Sequence, residues 1–116
     1  MREIKLARTV WANMELAKIC PGNDLGRIKE VLDTSDSLVQ MQGILKIITI
    51  LSEAYERKEK AQNPNYEPHP ITEDELIEWT EDEIGAALNQ ALETFHKDGE
   101  QTVIAQPKKS KKKVTK

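Results

Sequence analysis

Carboxylates are the most concentrated reactive groups of this chain, and they gather where one short pattern occurs twice. Ile-Thr-Glu-Asp-Glu-Leu occupies residues 71–76, and Trp-Thr-Glu-Asp-Glu-Ile occupies residues 79–84. Crowded carboxylates could bind a divalent cation, but calcium loops place their oxygen ligands alternately around a glycine turn. Neither copy contains a glycine. The pattern therefore does not predict a metal site, and weak cation binding stays only as an alternative.

The spacing within each copy instead predicts the start of a helix. Thr72 fits the N-cap position and Glu75 follows three residues later, which is the spacing of a capping box. Thr80 and Glu83 repeat this arrangement in the second copy. The flanking apolar residues have the spacing of hydrophobic staples, which pair Ile71 with Leu76 and Trp79 with Ile84. We interpret the acids as caps and a solvated acidic face, with a partner-docking surface as the alternative.

Other residue types that often carry catalysis are few and isolated. His69 lies between two prolines and His96 near a predicted helix end, and neither has a partner at a suggestive spacing. Cys20 is the only cysteine, which excludes an internal disulfide. We expect it to be a small buried residue, with a reactive thiol as the alternative. The sequence thus predicts no catalytic residue, no cofactor and no metal ligand, and the chain is not expected to be an enzyme.

The net charge of −3 hides a strong asymmetry along the chain. Residues 107–116 contain six lysines and no acid, so residues 1–106 hold 11 basic and 20 acidic residues, a net charge of −9. We predict a single small helical domain at 1–106 and a disordered lysine-rich tail at 107–116. The tail could contact phosphates, but it lacks interleaved aromatic residues and does not predict specific nucleic-acid recognition.

The composition predicts a modest aliphatic core and no membrane anchor. Hydrophobic residues make up 38% of the chain and aromatic residues only 4%, so we expect marginal stability or help from self-association. The longest apolar stretch, 44–51, is interrupted by Lys46 and Thr49 and is far shorter than the ~20 residues of a membrane span. The N-terminus lacks the apolar core of a signal peptide. We therefore expect a soluble intracellular protein.

The first third of the chain is predicted to contain a short strand and two helices. Polar and apolar residues alternate over 2–6, which suits a strand. Residues 8–19 have helical spacing and end at a Pro-Gly pair, with one side formed by Val10, Trp11, Met14 and Ala17. Asp24 can cap a short second helix. That helix would turn four apolar residues inward, namely Leu25, Ile28, Val31 and Leu32.

The strongest predicted core element is a helix from Ser37 to about Lys60. Its apolar residues recur at helical spacing, so we expect it to run through the middle of a bundle. These residues occupy positions 38, 41, 44, 45, 48, 51 and 55. Thr34 or Ser35 could cap the helix. Its last turns, 53–60, are expected to form a solvated charged surface.

Three prolines make residues 61–70 an extended connector. The first capping box then leaves room for about two helical turns before Thr80. The second begins a helix over 81–97, whose apolar stripe contains Ile84, Leu88, Ala91 and Phe95. Residues 102–105 could form a strand beside residues 2–6.

The predicted fold class is therefore mainly α: a small helical bundle with a short N-terminal strand and a disordered basic C-terminal tail. Trp11 and Trp79 lie at apolar helical positions, so core packing is expected for both. An exposed tryptophan would instead mark a binding surface.

Five features occur in a characteristic order along most of the chain. They are the segment 9–21, the aliphatic helix around Ile44–Leu51, Tyr66 with the proline connector, the capping pattern at 71–76 with the helix after it, and the lysine run at 108–113. In this order and in the short sequences themselves, the chain resembles the tail assembly chaperones of siphophages and prophages of Gram-positive bacteria. Such proteins are small, acidic and mostly helical.

The resemblance implies a function in virion assembly. Tail assembly chaperones hold the tape measure protein soluble while tail tube subunits polymerise around it, and they are absent from the finished virion. The tape measure protein would be the main partner, the tail tube protein a second partner, and the host cytoplasm the location. Many of these chaperones also have a longer form made by a programmed ribosomal frameshift, and the lysine codons at 108–113 could supply its slippery site.

A partner surface is expected where the two capped helices meet. The candidate contacts, to the extent that the core does not use them, are Leu76, Ile77, Trp79 and Ile84. They could cover an amphipathic helix by helix-in-groove packing. Two alternatives remain open: an acidic helical adaptor or regulatory module unrelated to tails, and a protein that contacts nucleic acid through its lysine tail.

Overall fold

Helices dominate the structure, as the sequence predicts. The computed structural model describes residues 3–97 and 100–103, with side chains as far as Phe95. The elements in chain order are β1 (Ile4–Ala7), α1 (Val10–Lys18), α2 (Ile28–Leu32), α3 (Ser37–Gln62), α4 (Glu73–Leu76), α5 (Glu81–Lys97) and β2 (Glu100–Val103), with 3₁₀ turns at Pro21–Asn23 and Leu25–Arg27. The tail predicted at 107–116 lies outside the described residues.

The hydrophobic core is built around the middle of α3. This helix contacts β1, α1, α2, α4 and α5, so the central position predicted for it is confirmed. It contributes five buried apolar side chains, namely Leu45, Ile47, Ile48, Leu51 and Ala54. The surrounding elements add Ile4, Leu6, Ala12, Leu16, Ile71, Leu76, Ile84, Ala87 and Ala91. The core is aliphatic, as the composition indicates.

The face of α1 that enters the core differs from the predicted one. Ala12 and Leu16 are buried, and Cys20 continues that row four residues later. Val10 and Met14, which were expected inside, are exposed. The helix carries two apolar stripes, and the stripe that continues into the buried Cys20 at the following turn is the one held against α3. Helical spacing alone does not decide between two such stripes.

Both tryptophans pack against the edge of the core without being fully buried. The guanidinium carbon of Arg57, on α3, lies 4.2 Å from the centre of the Trp11 ring, a cation–π contact that closes this edge. The expected core packing is therefore partly realised, because both side chains pack against the core and are only partly buried.

Two short strands lie beside the helices. β1 and β2 pair in antiparallel register, from Ile4 opposite Val103 to Ala7 opposite Glu100. Ile4 and Leu6 point into the core while Lys5 is exposed, which is the alternation expected for residues 2–6. β2 begins two residues before the expected 102–105.

The N-cap of α3 is Asp36, so the prediction of Thr34 or Ser35 is wrong. The Asp36 carboxylate accepts hydrogen bonds from the backbone N–H groups of Leu38 and Val39, at 3.0 and 3.2 Å. The Thr34 hydroxyl instead accepts from the Asp36 N–H at 3.3 Å. Asp36 is the N-cap instead of Thr34 or Ser35 because its carboxylate lies next to the first helical residue and accepts from two free N–H groups at once.

The short helix α2 packs closely on α3. Asp24 accepts from the Gly26 N–H at 2.9 Å, so the predicted cap forms on the 3₁₀ turn Leu25–Arg27, one turn before α2. Gly43 is the contact point on α3, because a Cβ atom there would overlap Cγ1 of Val31. The side-chain amide of Gln40 adds a hydrogen bond to the Leu32 carbonyl at 2.5 Å. A residue without a side chain thus lets α2 cover one side of α3.

The connector before α4 is fastened to the C-terminal half of α3. Tyr66 O–H and the His69 N–H both donate to Oε1 of Glu56, at 2.5 and 3.0 Å. The Ile71 N–H donates to Oγ of Ser52 at 3.0 Å. Glu56 is 8% exposed, so the prediction of a fully solvated surface at 53–60 is wrong there. These bonds fix the point at which α4 begins.

Candidate partner-binding surface

Both capping boxes expected from the sequence are formed. In the first, the Thr72 hydroxyl accepts from the Glu75 N–H at 3.2 Å, and the Glu75 carboxylate accepts from the Thr72 N–H at 3.3 Å. In the second, the Thr80 hydroxyl accepts from the Glu83 N–H at 3.2 Å, and the Glu83 carboxylate accepts from the Thr80 N–H at 2.9 Å. Each box satisfies backbone donors that the first helical turn leaves free.

The two boxes enclose a sharp bend in the chain. α4 is a single turn, shorter than the two turns predicted, and it ends at Leu76. The chain continues through a turn in which the Trp79 N–H donates to the Leu76 carbonyl at 3.0 Å. The second N-cap, Thr80, then starts α5. The bend leaves Ile77 at its outer edge, where 62% of the residue is exposed.

An open apolar cleft of about 200 Å³ lies where this bend meets α3. We call it the α3–α4 cleft, and it is lined by Met41, Leu45, Leu76, Ile77, Trp79, Glu81 and Ile84. All four candidate contacts expected from the sequence, Leu76, Ile77, Trp79 and Ile84, therefore lie around one feature.

The four candidate contacts are not equivalent. Leu76 and Ile84 are buried, so the core uses these two candidates, a possibility that the sequence left open. The cause is the hydrophobic staple, which uses the fourth helical residue of each box internally. Ile77 is exposed and Trp79 is half-buried, so these two remain accessible.

The N-terminal part of α3 extends the apolar surface beyond the cleft. Leu38, Met41 and Leu45 share one helical face by their spacing of three and four residues. Leu45 is buried, whereas Met41 and Leu38 become progressively more exposed, at 37% and 66%. Sequence reasoning placed all three in the core. The length of the apolar stripe could have indicated their exposure, because the stripe is longer than the short neighbouring elements can cover.

Lys46 and Glu73 join α3 to the start of α4 with an ion pair at 3.6 Å. Lys46 is also one of the two residues that interrupt the apolar stretch of α3. This ion pair explains a charged residue at position 46, within an otherwise apolar stretch. Both side chains are about half exposed, so the ion pair contributes little to the free energy of folding, although it links the two helices.

Four acids around the bend have no such partner. We call Asp74, Glu78, Glu81 and Asp82 the acidic rim. All four are exposed, and none of their carboxylates forms a hydrogen bond or ion pair within the part of the chain that the structure describes. No group of three or more His, Cys, Asp or Glu side chains among the described residues is arranged to hold a metal ion. Glu81 lines the α3–α4 cleft, and Glu78 lies in sequence between its lining residues Ile77 and Trp79, so these two acids place negative charge at an apolar surface.

Cys20 is buried, as expected, and its thiol donates to the Leu16 carbonyl at 3.2 Å. Burial raises the pKa of this thiol, and the nearby carboxylates of Asp24 and Glu30 raise it further. The thiolate is therefore disfavoured, which fits a packing role. The backbone N–H of His69, in the connector, donates to Glu56 on α3, and the side chain of His96 lies outside the described residues.

A second, more polar cavity of about 430 Å³ lies beside the connector. It is lined by Glu3, Ile4, Lys5, Ser52, Tyr55, Glu56, Glu59, Tyr66 and His69. Hydrogen bonding to the Glu56 carboxylate raises the pKa of Tyr66 to about 12. The buried groups of this cavity hold the connector against α3, so we assign it a structural role.

No helix within residues 3–97 is long and apolar enough to cross a membrane. No protein-family profile, curated protein or solved structure matches the chain. Among the described residues, the α3–α4 cleft with Glu81 on its lining is the strongest candidate for a binding surface.

Proposed function

We propose that the protein is a tail assembly chaperone of a siphophage or prophage, which binds the tape measure protein and keeps it soluble while the tail tube assembles. The observation that carries the proposal is the α3–α4 cleft, an open apolar depression continuous with exposed Ile77, Met41 and Leu38. A contiguous apolar surface with a polar border is typical of a protein-interaction site.

The cleft has the chemistry needed to cover a helical client. A tape measure protein is expected to be a long helical chain with exposed apolar surface. An amphipathic helix from such a client can lay its apolar face on a groove formed by another helix and a bend. The client would bury the apolar side chains that α3 and the bend leave exposed, and this burial would supply the binding free energy.

The charge of the protein supports the same role. Residues 1–106 carry a net charge of −9, and Glu81 of the acidic rim lines the cleft. Bound copies would therefore present acidic surface to solvent, and their mutual repulsion would oppose aggregation of a coated client. Such a chaperone would work in the cytoplasm of the bacterial host, would be absent from the mature virion, and would have the tail tube protein as a second partner.

Co-expression with a tape measure fragment tests the proposal. We expect the wild-type protein to move the fragment into the soluble fraction and to co-purify with it. The Ile77→Asp variant, which places a charge at the exposed edge of the cleft, should lose both effects. Val10→Asp is the matched control, because Val10 is 75% exposed on α1 and does not line the cleft. A fragment that stays equally insoluble with and without the wild-type protein would contradict the proposal.

The frameshifted longer form is a separate part of the proposal. Its test is the nucleotide sequence over codons 108–113, where we expect an A-rich slippery heptamer and an overlapping downstream reading frame. If either is missing, the longer form is excluded while the chaperone proposal stands. A gene neighbourhood without tail genes would instead favour the adaptor or regulatory module.

A further inference from the structure

We infer that the α3–α4 cleft selects a helix carrying one large apolar anchor side chain flanked by lysine or arginine residues. This inference rests on the proposed function and specifies which client segments the chaperone would recognise. It follows from the size of the cleft, from its walls and from the charges around it.

The size of the cleft favours a single side chain as the inserted group. Its volume is about 200 Å³, below the ~300–1,000 Å³ of sites that enclose small molecules. An open depression of this size fits an anchor residue of a macromolecular partner, the arrangement found at binding hot spots. A helix crossing the cleft would insert one residue and rest its neighbours on the exposed side chains around it.

The residues that line the cleft differ in how freely their side chains can move. Leu45, Leu76 and Ile84 are buried and belong to the hydrophobic core, so their positions are set by packing. Met41 at the edge is exposed and has a flexible, polarizable thioether that can adjust to different apolar shapes. The cleft can thus accept leucine, methionine or phenylalanine as an anchor without losing its shape.

The charges around the cleft determine which flanking residues fit. The capping boxes engage Glu75 and Glu83, and Lys46 pairs with Glu73, so these acids are already used. The acidic rim is left without a partner among the described residues. A client helix with acids beside its anchor would be repelled, whereas lysine or arginine would be attracted. Burial of the anchor side chain therefore supplies the affinity, and the acidic rim favours client helices with basic flanking residues over those with acidic ones.

Two synthetic peptides of about 20 residues, long enough to be helical in isolation, can test this inference. Both carry one central leucine on an alanine-rich helix, with flanking lysines in the first and flanking glutamates in the second. Binding is followed by Trp79 fluorescence in the full chain with Trp11→Phe, so that one tryptophan reports. We expect the lysine peptide to bind about tenfold more tightly at low salt.

Charge reversal identifies the source of the preference. The double variant Glu78→Lys/Glu81→Lys should abolish it. Both positions are exposed, so we expect only a small loss of stability, which thermal unfolding measures. Glu67→Lys on the connector is the matched control and should retain it. Equal binding of the two peptides, or an unchanged preference in the double variant, would overturn the inference. Replacing the central leucine by alanine should weaken the lysine peptide about tenfold, and no change would contradict the anchor.

The chain's own lysine tail is the competing occupant. Removing residues 107–116 should leave the affinity for the lysine peptide unchanged if a partner helix is the natural occupant. An increase of about tenfold would show that the tail already fills the site and would overturn the inference. The outcome is distinct from failure of the chaperone proposal, because a tape measure fragment can remain insoluble while the peptides still show the predicted preference.

Discussion

The two halves of α3 carry similar apolar patterns but are covered very differently. Around Leu51 and Ala54 the helix is enclosed by β1, α1 and the connector, and even Ser52 and Glu56 are buried with hydrogen-bond partners. Around Leu38 and Met41 the helix remains open to solvent. An apolar stripe thus becomes core only where another segment is fastened over it. Where nothing covers it, the same stripe is available to a partner.

The largest expected contrast comes from truncating one leucine in each half. Leu51→Ala should destabilise the protein by about 2–5 kcal/mol, because Leu51 is fully buried and its loss leaves a cavity. Leu38→Ala should change the free energy of unfolding by less than about 0.5 kcal/mol, because the side chain is already exposed. Urea denaturation of both variants measures the difference. Similar losses would show that the N-terminal half of α3 is covered after all.

Glu56 provides the next test, because its hydrogen bonds hold the connector against the C-terminal half of α3. Glu56→Ala should cost about 1.5–3 kcal/mol, since Tyr66 O–H and the His69 N–H both lose their charged acceptor. Glu53→Ala is the matched control on the same helix. Its exposed ion pair with Arg57 should contribute less than about 1 kcal/mol. Equal effects in thermal or urea unfolding would contradict a special role for Glu56.

Gly43 tests how closely α2 covers the remaining side of α3. Gly43→Ala should destabilise the protein by about 1 kcal/mol, because the clash with Val31 outweighs the gain in helix propensity. Gly85→Ala on α5 should stabilise it by about 0.5–1 kcal/mol, since a Cβ atom there meets nothing within 4 Å. Opposite signs in the free energies of unfolding are expected. A stabilising Gly43→Ala would mean that α2 lies further from α3.

The smallest expected effect is a dependence on alkaline pH. The pKa of Tyr66 is raised to about 12 in the folded protein from an ordinary value of 10.0. Its hydrogen bond to Glu56 therefore contributes fully below pH 10 and is lost as the pH rises through 12. Tyr66→Phe should cost about 1 kcal/mol or less at neutral pH. The difference in unfolding free energy between this variant and the wild type should shrink over that window, and a constant difference would contradict the assignment.

Local spacing was enough to predict the helices and the capping boxes. Each box depends on residues three apart in sequence, such as Thr72 with Glu75, so no tertiary information is needed. The long helix follows from its aliphatic periodicity for the same reason. The stripe of α1 was predicted wrongly because two stripes were available, and the choice between them depends on what packs against the helix.

The fastening of the connector could not be predicted from local spacing. Glu56 stands within a charged run that suggests solvent, and its partners Tyr66 and His69 follow ten and thirteen residues later, beyond a turn. The cleft was predicted in part, because Leu76, Ile77, Trp79 and Ile84 all line it. Met41 was missed because its exposure depends on where α2 and α4 end, which is a property of the assembled fold.

Hydrogen exchange of the protein with and without a bound tape measure fragment tests the central claim most directly. We expect the client to slow amide exchange at the open end of α3, residues 38–45, and at the bend, residues 76–84. Exchange over residues 48–56, which are already covered, should not change. Protection confined to residues 48–56, or absent from both open segments in a stable complex, would contradict the account.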